Sequence, residues 1–124
     1  MKRVPRSRYQ CQYCGQVYQR EDPYLAHRCQ EMIRADEIQT PLGQAAWSFY
    51  QKWLKGQRKV CPDITTFMTS RFYRTFMTFA EFTRKVGMPD VDTYIWLMNR
   101  LDMTPMLWCR NETYVNYIEF LDRQ

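Results

Sequence analysis

Between Tyr9 and Cys29 the chain reads YQCQYCGQVYQREDPYLAHRC, and this stretch holds three of its five cysteines and its only histidine. Two residues separate Cys11 from Cys14, twelve separate Cys14 from His27, and one separates His27 from Cys29. A tetrahedral Zn²⁺ takes four nitrogen or sulfur ligands, and a C-x2-C turn sets two thiolates on one ion. Gly15 lets the chain turn tightly just after the second thiolate. About twenty residues bury too little apolar surface to fold alone, so a metal would be the staple. The spacing therefore assigns Cys11, Cys14, His27 and Cys29 to one structural zinc ion. A secreted disulfide framework fits less well: the cysteine count is odd, no signal peptide is expected, and a C-x2-C pair is typical of metal sites.

Up to His27 the stretch resembles a zinc finger of the class with two cysteine and two histidine ligands. Tyr9 stands two before the first cysteine, Gly15 follows the second, Tyr18 lies four beyond it, and His27 comes at that family's distance. Leu25 is two residues before His27, where the family has it three before. The ending departs further, because the family spaces its last two ligands by three to five residues and here they are His27-Arg28-Cys29. On a helix, residues i and i+2 point roughly 200° apart, so one regular helix cannot aim both at one ion. Either His27 ends a short helix with Cys29 on the exit turn, or the unit is not a standard ββα finger.

The charge is unevenly placed. Residues 1–34 are net +4, 35–51 net −2, 52–74 net +5 and 75–124 net −2, for +5 in all. Two basic blocks parted by acidic ones imply a surface with sides. The first block opens with MKRVPRSR, residues 1–8, read as a flexible basic arm able to neutralise phosphates. The second contains Lys52, Lys55, Arg58 and Lys59. With Arg20 and Arg28 from the finger, these residues and Lys2, Arg3, Arg6 and Arg8 are the candidate nucleic-acid contacts. Glu21 and Asp22 at the start of the finger helix would repel phosphate, which argues against base reading there and for backbone contact.

The rest reads as helices. Residues 9–39 hold the finger and a connecting helix, with Asp22-Pro23 as cap and first position of the finger helix and Met32, Ile33 and Ile38 as apolar positions of the next. Residues 40–124 form a compact helical domain of about five to six helices. Thr40-Pro41 opens the first, whose inward face is Leu42, Ala45, Ala46, Phe49, Tyr50 and Trp53, and Gly56 is placed to end it. Asp63 caps a turn. Ser70 either restarts the helix or continues it to Val86; Met68, Phe72, Phe76, Phe79, Phe82 and Val86 share a face, with Tyr73, Met77 and Ala80 beside them, and mark a central helix that Gly87 stops. Asp90 caps a helix with Val91, Tyr94, Ile95, Met98 and Leu101 inward. Thr104-Pro105 opens one more turn. Asn111 caps the last helix, with Tyr114, Val115, Tyr117, Ile118 and Leu121 inward. The fold class is mainly α, since no long stretch alternates with period two. The aromatic residues are mostly core by their spacing, with Tyr24, Trp47 and Tyr73 as the candidates for exposure. Cys61 reads as a linker thiol and Cys109 as a small buried hydrophobe.

The segments CQYCG…HRC, TPLGQAAWSFYQKW, SRFYRTFMTFAEFTRKVGMPD and TPMLWCRNETYVNYIEFLD resemble small zinc-finger proteins of T-even-type tailed bacteriophages and their cyanobacterial-phage relatives. That resemblance implies the bacterial host cytoplasm as the working place and assigns no activity. The helical rhythm from Asp63 to Asp122 is similar to the core-binding domain of tyrosine recombinases, from which only a DNA-clamping role could carry over.

No apolar run approaches the ~20 residues that span a bilayer, so no membrane partner is expected; nor is a small-molecule substrate expected. An enzyme is not expected either. The single histidine goes to the metal, four protein ligands leave the ion no open position, and no phosphate-cradling glycine loop is present. The leading expectation is a nucleic-acid-binding accessory protein, with DNA preferred to RNA, contacting mainly phosphates. The alternative is an adaptor that docks on a phage or host protein of the replication or transcription machinery.

Overall fold

The computed structural model describes residues 9–60 and 63–124. Two compact units divide the chain, residues 1–37 and 38–124. Among the described residues there are seven α-helices, one 3-10 turn and no strand.

The first unit carries α1, Glu21–Ala26, and α2, Gln30–Glu37. Ahead of them a single antiparallel bridge joins Gln10 to Val17. The expected cap at Asp22 is corrected: α1 begins at Glu21, two residues before the expected start at Pro23, and Arg20 at its N-cap makes no side-chain capping bond. Pro23 is tolerated in the first turn because the first amides of a helix have no partner within it. Neither helix has a buried residue.

The second unit is built from α3 (Pro41–Gly56), α4 (Ile64–Met68), α5 (Tyr73–Val86), α6 (Val91–Arg100), the 3-10 turn Pro105–Leu107 and α7 (Asn111–Asp122). Short polar side chains start three of these helices. Thr40 Oγ1 accepts from the Gly43 amide at 3.0 Å, Asp63 Oδ1 from Thr66 at 2.9 Å, and Asp90 Oδ1 from Thr93 at 3.1 Å. Each satisfies an amide that the helix itself leaves free. Asn111 does not cap α7; it is the first helical residue, and Arg110 occupies the cap without a side-chain bond.

Three helices end in a left-handed residue with paired 6→1 and 5→2 backbone bonds, the Schellman arrangement. At the end of α5 that residue is Gly87, φ 63°, with Met88 N donating to Thr83 O. At α6 it is Asp102, φ 53°, with Met103 N donating to Met98 O. At α3 it is Arg58, φ 59°, with Lys59 N donating to Leu54 O. Gly56 therefore does not make the turn that ends α3. Its missing side chain serves a close approach instead, because a Cβ there would overlap Asn99 Nδ2 of α6.

α3 packs chiefly against α5 and then α6. Phe76, Phe79, Tyr94, Met98, Trp108 and Tyr117 are fully buried between the helices. Their rings meet mostly edge to face, with Phe76 and Phe79 at 5.4 and 5.1 Å from Trp108, the arrangement that aromatic quadrupoles favour. Trp108 Nε1 donates to Met103 O at 2.9 Å and the Tyr94 hydroxyl donates to Trp108 O, whereas Trp53 Nε1 is buried without a hydrogen-bond partner. Tyr117 ties α7 to the start of α6, donating to Asp90 O at 2.8 Å and accepting from Asp90 N at 3.1 Å.

Several expected faces shift. Tyr73 is fully buried, not exposed, because the turn between α4 and α5 brings Phe67 to 5.1 Å from its ring. Leu101 and Val115, expected inward, are about half exposed at 52% each. Leu97 and Thr113 are buried in their helices instead. Ile38 is buried in the core of the helical unit. Cys109 is half-buried, and burial pushes its thiol up to about 11.

Candidate metal centre

Cys11 and Cys14 sit on a tight turn. The Gly15 amide donates to Cys11 O at 2.9 Å and the Cys11 amide to Gln16 O at 2.9 Å. Gly15 takes φ 78° there, a conformation open to glycine at little cost. His27 follows α1 in extended conformation, φ −66° and ψ 132°, with its amide bonded to Tyr24 O.

Cys29 is the N-cap of α2: its carbonyl accepts from Ile33 N at 3.1 Å and its sulfur from Met32 N at 3.4 Å. The two-residue spacing that no single helix could serve is thus split between the exit of one helix and the entry of the next. His27 does end a short helix; Cys29 goes beyond an exit turn and starts α2. With one bridge in place of a hairpin, the unit is not a standard ββα finger.

One ligand atom from each of Cys11, Cys14, His27 and Cys29 lies within 4.8 Å of every other. Cys11 Sγ is 3.8 Å from Cys29 Sγ, and Cys14 Sγ is 3.3 Å from His27 Nε2. All three cysteines are free of disulfides. The four are close enough to bind a single metal ion.

The surroundings favour ligation. The Cys14 amide, more than any other group, draws the Cys11 thiol down to about 6. A thiolate that accepts backbone N–H bonds is the form a metal binds. Loss of solvent pushes the Cys29 thiol up, opposed by the Met32 amide. The Tyr18 hydroxyl lies 2.6 Å from His27 Nδ1. With Nε2 turned to the metal position, Nδ1–H donates to that oxygen and fixes the ring. Desolvation, then the nearby thiols, raise the Tyr18 hydroxyl.

The candidate nucleic-acid contacts are partly brought together. Lys2, Arg3, Arg6 and Arg8 lie outside the described residues. Arg20 is exposed at the cap of α1, and Arg28 faces Asp36 at 3.4 Å on the surface. In the helical unit Lys52, Lys55 and Arg58 line one groove with Arg100 of α6. Lys52 is held by Asp92 at 2.6 Å, while Lys59 is exposed beyond the helix end. Sequence reasoning missed Arg100 and its neighbour Trp96. The available signal was the i, i+4, i+8 stripe Asp92–Trp96–Arg100, which puts a tryptophan on a charged helix face.

Comparison of the chain with known protein families, with curated proteins and with solved structures gives no match. No described helix is long and apolar enough to cross a membrane.

Proposed function

We propose that the first unit is a structural zinc module and that the chain is a nucleic-acid-binding accessory protein. Three sulfurs and one imidazole are a donor set that suits zinc. A tetrahedral ion with Zn–S near 2.3 Å sets sulfurs about 3.8 Å apart and a sulfur and a nitrogen about 3.5 Å apart, close to the 3.8 and 3.3 Å separations here. Four protein ligands close the coordination, so the zinc holds the fold and no catalytic role is assigned to it.

The observation that carries the nucleic-acid reading is the cationic groove of the helical unit. Four basic side chains share it with a single acid, Asp92, and that acid is already paired with Lys52. Such a surface attracts a polyanion by releasing its condensed counterions.

The test is a titration of the zinc-loaded protein against labelled DNA and RNA at several salt concentrations. Binding should weaken linearly on a log–log plot, by about 0.7–0.9 per phosphate contacted. Absence of binding even at low salt removes this reading. It would leave a protein-docking adaptor, which the exposed Tyr13 and Leu25 of the first unit favour.

A further inference from the structure

Trp96 is the one tryptophan among the described residues that lies open: 51% of its surface is exposed, against 7% for Trp53 and none for Trp108. On a helix that buries Tyr94, Ile95, Leu97 and Met98, this indole rests against Phe120 of α7 at 6.0 Å and leaves half of its surface in water. It lines the same groove as Lys55, Arg58 and Arg100. The Arg100 guanidinium lies over its ring at 5.8 Å, near the outer limit of a cation–π contact, so a better partner can displace it.

The floor of the groove is fixed. Asn99 donates to Trp53 O at 3.2 Å and accepts from Gln57 Nε2 at 3.3 Å, and Gly56 permits that approach. The cations of the α3 end and the indole of α6 are thereby held at a set spacing. The space between them, about 710 Å³, is a groove more open than enclosed, a form that an extended strand can follow.

Resting on the nucleic-acid reading above, we propose that this groove binds single-stranded nucleic acid, with one base stacked on Trp96 and the flanking phosphates on Lys55, Arg58 and Arg100. The chemistry selects the single strand. In a duplex the bases are already stacked and paired, and an indole on the surface has nothing to stack on. In a single strand every base offers a π-face, and a basic groove follows the backbone. Lys55, Arg58 and Arg100 have no carboxylate partner among the described residues. Arg100 exchanges its place over the ring for a phosphate when a base arrives.

The experiment uses the full zinc-loaded chain with a labelled oligothymidylate, a duplex of equal length and polyglutamate, at fixed low salt. The oligothymidylate should bind at least several-fold tighter than the duplex and quench tryptophan fluorescence. Trp96→Ala should weaken it about tenfold, the size of one lost stacking contact, and abolish most of the quenching; Trp96→Phe should recover part of the affinity. Lys55→Gln and Arg100→Gln should each lower the salt slope by about 0.7. An unchanged thermal melt of Trp96→Ala shows that the fold is intact. Equal binding of duplex and single strand, with Trp96→Ala neutral, overturns this inference and leaves the broader reading standing. Polyglutamate binding as tight as oligothymidylate overturns it in favour of an acidic protein partner. No nucleic acid bound at all ends both.

Discussion

Arg58 is the residue whose conformation and proposed role pull against each other. Its φ of 59° puts a Cβ where an L-residue is strained by roughly 1–2 kcal/mol, at the position that glycine usually fills in a Schellman end. Arg58→Gly should relieve that strain at some cost in chain entropy, raising stability by about 0.5–1 kcal/mol. It should at the same time weaken nucleic-acid binding. Asp102→Gly should gain less, since aspartate tolerates the left-handed region, and Gly87→Ala should lose about 1 kcal/mol. Thermal melts of the three variants check the order. A destabilised Arg58→Gly would mean that the side chain holds the helix end by contacts, outweighing the backbone. At the candidate metal centre Tyr18→Phe removes the oxygen from His27 Nδ1. The loss of such an outer partner should lower metal affinity about 10–100-fold, as read by competition with a chromophoric chelator. Cys109→Ser, away from the ligand set, should leave the affinity unchanged.

Helix starts test electrostatics at the next scale. The Asp63 carboxyl is held below its ordinary value chiefly by the Thr66 amide, and that of Asp90 by the Thr93 hydroxyl and then its amide. A depressed carboxyl contributes stability that is complete above its unfolded value near 4 and is lost as pH falls through the lower folded value. Melting temperature should therefore drop below about pH 4. Asp63→Asn with Asp90→Asn should flatten that drop while keeping the caps, since asparagine caps as well as aspartate. These starts were legible in the sequence because a cap is local: Thr40, Asp63 and Asp90 bond three residues ahead of themselves. Faces were legible only in part. Tyr73 is buried by the way α4 folds back on α5, and Leu101 is exposed because α6 ends at Arg100, so period alone could place neither. The clustering of Cys11, Cys14, His27 and Cys29 was legible because the spacing itself brings such donors together, whereas Tyr18 and Trp96 take their places from what the fold sets beside them.

The two units are held together internally by different forces. The first has Cys11 as its only buried hydrophobic residue among those described, and its two helices bury none. The second has a continuous core running from Ile38 to Tyr117. Apolar burial is worth about 25 cal/mol per Å², so the second unit can stand on its core, while the first has little beyond the bonds that a metal on its four donors would supply. Chelation at neutral pH should therefore unfold residues 9–37 and leave the helical unit intact. Hydrogen exchange can read this residue by residue. The Cys11 and Tyr18 amides, bonded to Gln16 O and Tyr9 O, should lose protection on chelation, while the amides of α5 and α6 keep theirs. A fragment of residues 38–124 should melt cooperatively within a few degrees of the metal-free full chain. Loss of protection throughout on chelation would show that the core of the second unit needs the first. The groove at Trp96 lies wholly in the second unit, so that fragment should also retain its contribution to oligothymidylate binding.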